Sequence, residues 1–92
     1  MINLTQRTSN EINKEIATRV VALRKRKKIS QADLANKSGV SFGSVKRFEQ
    51  TGEISLSSLT KIAIALNAES GLDSLFADVE FSSIEEILNG QN

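Results

Sequence analysis

Residues 30–52 read S-Q-A-D-L-A-N-K-S-G-V-S-F-G-S-V-K-R-F-E-Q-T-G, and this stretch decides the fold. Ser30 is a favourable N-cap, which predicts a helix over residues 31–37. Gly39 follows at a place where a helix C-terminus favours a left-handed backbone conformation. Ser41 is a second N-cap and predicts a further helix over residues 42–50. The stretch therefore predicts two short helices separated by a tight turn.

The apolar residues of this stretch fit two helices that cross steeply. A pair of short helices joined by a tight glycine-containing turn is the helix-turn-helix geometry. Ala35 is small, as expected where the two helix backbones approach closely. The pattern indicates a helix-turn-helix with four residues at the crossing: Leu34, Ala35, Val40 and Val45.

A longer helix is predicted before this pair. Thr8 and Glu11 have the spacing of a capping box, and the helix is expected to run to about Lys28. One apolar stripe follows the spacing of an amphipathic helix. It consists of Ile12, Ile16, Val20 and Leu23.

Two further helices are predicted after the pair. Ser55 caps a fourth helix that ends near Asn67, and a short fifth helix follows. The sequence therefore predicts an all-α, five-helix domain. Apolar residues recur with helical spacing on the fourth helix at Leu56, Leu59, Ile62, Ala63 and Leu66, and the fifth helix carries Leu72, Leu75 and Phe76.

The predicted organisation is an N-terminal arm over residues 1–8, one domain over residues 9–77 and an acidic tail over residues 78–92. In the tail, Asp78-Val79-Glu80-Phe81 alternates polar and apolar residues, as a short half-buried strand does. A lone strand needs a partner, so this segment either pairs across a dimer or packs irregularly. Ser83 and Glu86 form another capping-box pattern ahead of a short helix.

The composition excludes several classes of function. The 92 residues include no Cys and no His, which excludes disulfides and Cys- or His-based metal, nucleophile and acid–base sites. The sequence contains no phosphate-binding or calcium-binding loop motif. We therefore expect no catalysis, no metal and no cofactor. The longest apolar run, residues 62–66, is far too short for a membrane span, and with no secretory pattern at the N-terminus a cytoplasmic location is expected.

The charges are distributed unevenly along the chain. Residues 1–50 hold eleven Lys or Arg and four acidic residues, a net charge of +7, whereas residues 51–92 hold one Lys and seven acidic residues, a net charge of −6. This asymmetry favours a basic face for a polyanion, although chance clustering of solvated charges gives the same count. The basic run at residues 24–28 suits either a helix C-terminus or contact with phosphates.

Residues 23–52 resemble the Cro/repressor (Xre) class of five-helix DNA-binding domains, and the resemblance extends over about residues 16–76. It implies that Gln31 contacts the DNA backbone and the first bases, and that Arg24 and Glu49 form an ion pair between the first and third helices. It also implies a recognition helix that enters the major groove of double-stranded DNA. The exposed face of that helix comprises Ser41, Phe42, Gly43, Ser44 and Arg47, with Lys46 nearer the phosphates.

The recognition helix departs from the family pattern at two positions. Phe42 cannot hydrogen-bond a base, so it either packs on a thymine methyl group or belongs to the core. Gly43 costs a helix about 1 kcal/mol relative to Ala. Either close approach of the backbone to DNA or crowding by a neighbouring helix explains a glycine there. Arg47 remains suited to a bidentate pair with guanine.

Residues 52–66 and the acidic tail resemble, more loosely, HipB-like antitoxin regulators that pair with HipA-like kinase toxins. Ser55, at the start of the fourth helix, also offers a helix N-terminus to a phosphate.

We therefore expect a homodimeric, autoregulatory transcriptional repressor that binds a palindromic operator, with an antitoxin role in a toxin-antitoxin operon as a further expectation. Three alternatives remain. In the first, the chain is mainly an interaction protein that neutralises a partner. In the second, it is a phage- or restriction-type regulator without a toxin partner. In the third, it has the same fold but uses Phe42 to contact another protein.

Overall fold

The computed structural model of the chain describes residues 6–77, which form five α-helices and contain no strand. This confirms the all-α prediction. Residues 1–5 of the predicted arm lie outside the described residues, as does the tail with its predicted strand at residues 78–81. The helices are α1 (Ser9–Arg26), α2 (Gln31–Ser38), α3 (Phe42–Thr51), α4 (Leu56–Ala65) and α5 (Ser70–Asp73).

Side-chain N-caps fix the start of the four longer helices. The side chains of Thr8, Ser30, Ser41 and Ser55 each accept a hydrogen bond from the backbone N–H three residues later. Thr8 and Glu11 complete the predicted capping box. Because each such cap stabilises a helix by about 1 kcal/mol, the boundaries of α2, α3 and α4 are set locally by serine.

The core lies where α3 meets α1 and α2, with α4 closing it from the side of α2. Val40, in the turn between α2 and α3, is buried with the residues of the helices. The turn is therefore part of the core and holds α3 at a fixed angle to α2. The buried apolar cluster consists of Ala17, Leu34, Ala35, Val40, Val45, Phe48, Ile62 and Leu66.

Two helix ends differ from the prediction. α1 ends at Arg26 and not at Lys28, because Lys28 adopts a φ of +59°, which no right-handed helix accommodates. α5 is limited to Ser70–Asp73, so the expectation that this helix carries Leu75 and Phe76 is wrong. Phe76 has a φ of +59° and is 93% exposed, because the chain turns there and leaves the helix.

Gly52 ends α3 against the backbone of α1. It has a φ of +82°, and a Cβ atom added there would lie 2.7 Å from the carbonyl carbon of Asn13 and 2.8 Å from the nitrogen of Lys14. Gly39 ends α2 with a similar φ of +76°, but no atom lies within 4 Å of its hypothetical Cβ. Gly52 is therefore required both by its left-handed conformation and by the lack of space for a side chain, whereas Gly39 is required by its conformation alone.

We expect Gly52→Ala to destabilise the fold clearly more than Gly39→Ala. The left-handed conformation costs alanine about 1–2 kcal/mol at either position. At Gly52 the clash with the α1 backbone adds to that cost. Urea unfolding followed by circular dichroism measures both changes, and equal losses of stability in the two variants would contradict the close packing of α1 on α3.

Candidate nucleic-acid interface

The turn between α2 and α3 holds the two helices in a fixed relation. The Ser38 hydroxyl accepts a hydrogen bond from the Val40 N–H at 3.1 Å and donates one to the Ala35 carbonyl at 3.3 Å. Ser41 then caps α3 by accepting a hydrogen bond from the Ser44 N–H at 3.1 Å. These local bonds connect the end of α2, the turn and the start of α3.

The exposed face of α3 begins at its first turn. Val45 and Phe48 point inward and are buried, whereas Ser41, Gly43 and Ser44 are exposed. Lys46 and Arg47 are exposed further along the helix. The residues predicted for the recognition helix are therefore all exposed in the structure.

At Phe42 and at Gly43, the structure excludes one of the two explanations that the sequence leaves open. Phe42 is 48% exposed, so its assignment to the core is wrong. Nothing lies within 4 Å of the Cβ position of Gly43, so crowding by a neighbouring helix does not explain the glycine. Both residues present accessible surface at the first turn of α3, where an approaching ligand can reach the backbone.

A buried ion pair joins the helix-turn-helix to α1. Arg24 Nε lies 2.7 Å from Glu49 Oε2, and Arg24 Nη2 lies 2.9 Å from Glu49 Oε1. Arg24 Nη1 also donates to the Ile29 carbonyl at 2.9 Å. This bidentate pair confirms the ion pair between the first and third helices that the family resemblance implies, and it assigns Arg24 to the structure of the domain.

Gln31 is tied to the same carboxylate. Its Nε2 donates to Glu49 Oε1 at 2.8 Å, and the side chain is only partly exposed. Because an ionised carboxylate only accepts hydrogen bonds, the amide nitrogen of Gln31 must face Glu49. The amide carbonyl is then directed elsewhere, so the predicted DNA-contacting residue at the start of α2 is held in one orientation.

Arg47 is paired with a residue that the sequence prediction missed. Its Nη2 lies 2.6 Å from Glu53 Oε2 and its Nε lies 3.2 Å from the same atom. Both side chains are largely exposed. Thr51 supports the contact, since its hydroxyl donates to the Arg47 carbonyl at 2.8 Å and accepts from the Glu53 N–H at 3.1 Å.

A cleft of about 300 Å³ separates the exposed side of α3 from the start of α4. Ser55 caps α4 at this cleft, so the N-terminal end of the helix opens into it. Three of the predicted contact residues, Ser44, Arg47 and Ser55, therefore line one space. Ser41 and Phe42 line a different depression between α2 and α3, together with Gly39 and Val40.

A protein-family model described as helix-turn-helix matches residues 20–71, which is more than half of the chain. The chain belongs to the helix-turn-helix family of the Cro/C1 type. It is a DNA-binding transcription regulator. Comparisons with curated proteins and with solved structures give no significant match.

The matched region of this helix-turn-helix protein extends from the second half of α1 to the start of α5 and includes the Arg24–Glu49 pair. No helix within residues 6–77 is long and apolar enough to cross a membrane. The same residues contain no group of three or more acidic, Cys or His residues that could hold a metal ion.

We expect Glu49→Gln to destabilise this helix-turn-helix domain by about 3 kcal/mol. The change leaves the guanidinium of Arg24 buried without an ionic partner, which is far more costly than losing an exposed pair. Glu53→Gln is the matched control, because it makes the same substitution in an exposed pair and is expected to cost about 0–1 kcal/mol. Urea unfolding distinguishes them, and similar losses in both variants would contradict a structural role for the Arg24–Glu49 pair.

Proposed function

We propose that the chain is a cytoplasmic, sequence-specific transcriptional repressor that binds a palindromic operator as a homodimer. The observation that carries this proposal is the exposed side of α3 beside the N-terminal end of α4. It places serine and arginine side chains next to a helix N-terminus in one accessible cleft. Such a surface suits DNA, because the helix N-terminus favours phosphates and the polar side chains can hydrogen-bond base edges.

In this proposal α3 enters the major groove. Ser44 and Arg47 contact base edges, Phe42 packs on a thymine methyl group, and Ser41 contacts the DNA at the start of the helix. Gly43 lets the α3 backbone approach the DNA closely, which the open space at its Cβ position supports.

Residues on either side of α3 would contact the phosphates. Lys46 is exposed and makes no ion pair with the described residues. Ser55 marks the N-terminal end of α4, whose N–H groups favour an anion. Gln31, fixed by Glu49, presents its remaining polar atoms at the start of α2. Phosphate contacts from three elements would fix the register of α3 on the DNA.

Arg47 must leave Glu53 before it can contact a guanine. An exposed ion pair contributes about 0–1 kcal/mol, whereas a bidentate arginine–guanine pair contributes about 1–3 kcal/mol of discrimination. The exchange is therefore favourable at a correct base. At an incorrect base, contact with the DNA gives Arg47 little free energy, so Arg47 stays paired with Glu53.

A dimer follows from the limited number of bases that one recognition helix contacts. Two half-sites about 34 Å apart along the DNA double the number of contacted bases and match the two-fold symmetry of a palindrome. This is the reason to propose a homodimer.

A fluorescence-anisotropy titration tests the proposal, using the DNA upstream of the protein's own gene and a scrambled duplex across a salt series. We expect tighter binding to the upstream duplex and a steep loss of affinity with salt, since each phosphate contact contributes about −0.9 to the log–log slope. Equal affinity for both duplexes at every salt concentration would contradict an autoregulatory repressor.

Charge-removing variants locate the interface in the same titration. We expect Arg47→Gln to reduce the preference for the upstream duplex, and Lys46→Gln to weaken binding to both duplexes and lower the salt slope by about 1. Lys61→Gln is the control, because it removes one exposed charge on α4 that does not line the cleft beside α3. An equal effect of Lys61→Gln and Arg47→Gln would contradict the placement of α3 in the major groove.

An antitoxin role is the second candidate function. Residues 52–66 and the acidic tail support it through their resemblance to HipB-like regulators, which implies a HipA-like kinase as partner. We expect the protein encoded by the adjacent open reading frame to co-purify with the chain after co-expression. Loss of co-purification in a Glu85→Gln, Glu86→Gln variant would assign the contact to the tail, and no co-purification of the unaltered chain would leave the repressor alone.

A further inference from the structure

An apolar groove of about 270 Å³ lies between α1, α4 and the chain around α5. Arg19 is the charged residue among the side chains that line it, and no residue of α2 or α3 contributes. The groove is therefore separate from the proposed DNA-contacting surface. Its apolar walls are formed mainly by Val20, Leu23, Leu59, Ala63, Leu72 and Leu75.

The chain leads directly from this groove into the acidic tail. Leu72 and Leu75 line the groove, and the described residues end at Ala77, two residues further on. Phe76, with its φ of +59°, turns the chain immediately after Leu75. Ten extended residues span about 33 Å, whereas a ten-residue helix such as α4 is about 15 Å long. A segment that starts at residue 79 is thus long enough to cover the groove.

The tail has the composition that such a groove requires. Its sequence interleaves five apolar residues with four acidic ones and contains no Lys or Arg. Residues 6–77 hold twelve basic and seven acidic residues, so the domain has a net charge of +5 and the tail −4. The apolar residues of the tail are Val79, Phe81, Ile84, Ile87 and Leu88.

We propose that residues 79–88 bind in the groove of their own chain, with their apolar side chains against α1 and α4 and their carboxylates toward Arg19 and the solvent. Attachment to the same chain favours this occupant over a second copy. A short connection gives an effective concentration in the millimolar range, far above the concentration of free chains in a dilute solution. The proposal does not depend on the DNA-binding function.

A spin label on the tail tests the proposal. The chain has no cysteine, so Asn89→Cys provides a single attachment site for a nitroxide. We expect the label to broaden the amide NMR signals of Val20, Ala63 and Leu72, and to leave those of Asn36 and Ser44 in the helix-turn-helix sharp. Broadening that spares the groove, or that is equal over all helices, would overturn the proposal.

A mixed sample distinguishes the same chain from a second copy. Spin-labelled chains without ¹⁵N are mixed with ¹⁵N-labelled chains that carry no spin label, so that only contacts between chains cause broadening. We expect none at the groove. Broadening there in the mixed sample would show that a second copy occupies the groove, and would overturn the proposal in this form.

A pair of tail variants tests the apolar contact. In the Asn89→Cys background, replacing Ile87 and Leu88 by serine is expected to abolish the broadening at the groove, because it removes the apolar side chains but no charge. Gln91→Ser is the matched control and is expected to leave it unchanged. The amide spectrum of α2 and α3 reports whether each variant is folded, and persistent broadening in the folded Ile87, Leu88 variant would overturn the proposal.

Discussion

The carboxylate of Glu49 connects three separate segments of the domain. It accepts two hydrogen bonds from Arg24 near the end of α1 and one from Gln31 at the start of α2, while its own backbone belongs to α3. Arg24 also bonds the Ile29 carbonyl in the loop that leads to α2. The orientation of α3 relative to α1, and the orientation of the Gln31 amide, therefore depend on the same buried charge pair.

Burial gives the two arginine–glutamate pairs of this surface different physical roles. Arg24 and Glu49 have side chains that are 10% and 6% exposed, so breaking their pair would leave a charge in a medium of low dielectric. Arg47 and Glu53 are 69% and 57% exposed, and water can solvate either charge when they separate. The first pair is consequently a fixed part of the fold, whereas the second can exchange partners when DNA approaches.

The elements that the sequence predicts well are those fixed by local chemistry. Serine N-caps and the αL residue Gly39 place α2 and α3 almost to the residue, because the hydrogen bonds concerned span only three or four residues. The extent of α5 was not predictable in this way. The N-cap residue Glu69 makes no side-chain hydrogen bond that would mark the start of α5. Phe76 turns the chain in a left-handed conformation, although it is not a glycine and no local sequence pattern indicates a turn there.

In the candidate interface too, local features were predicted, whereas the Arg47–Glu53 and Gln31–Glu49 contacts were not. The residues that the family resemblance places on the exposed face of α3 are exposed in the structure, whereas Val45 and Phe48 are buried. The Arg47–Glu53 contact spans six residues across the left-handed Gly52, a spacing that belongs to no regular helix, so a reading by helical repeats misses it. The Gln31–Glu49 bond joins residues eighteen apart and depends on the crossing of α2 and α3.

The arrangement of charges links the groove to the DNA-contacting surface. Of the twelve Lys and Arg residues, Arg7, Arg24 and Arg47 form ion pairs within residues 6–77, so the positive potential of the domain comes mainly from the others. Charges interact strongly only within about 10 Å at 0.1 M salt. A tail with a charge of −4 held between α1, α4 and α5 would act chiefly on those helices and little on α3. A tail that left the groove would compete with phosphates for the same cations, so occupancy of the groove would itself set the strength of non-specific DNA binding.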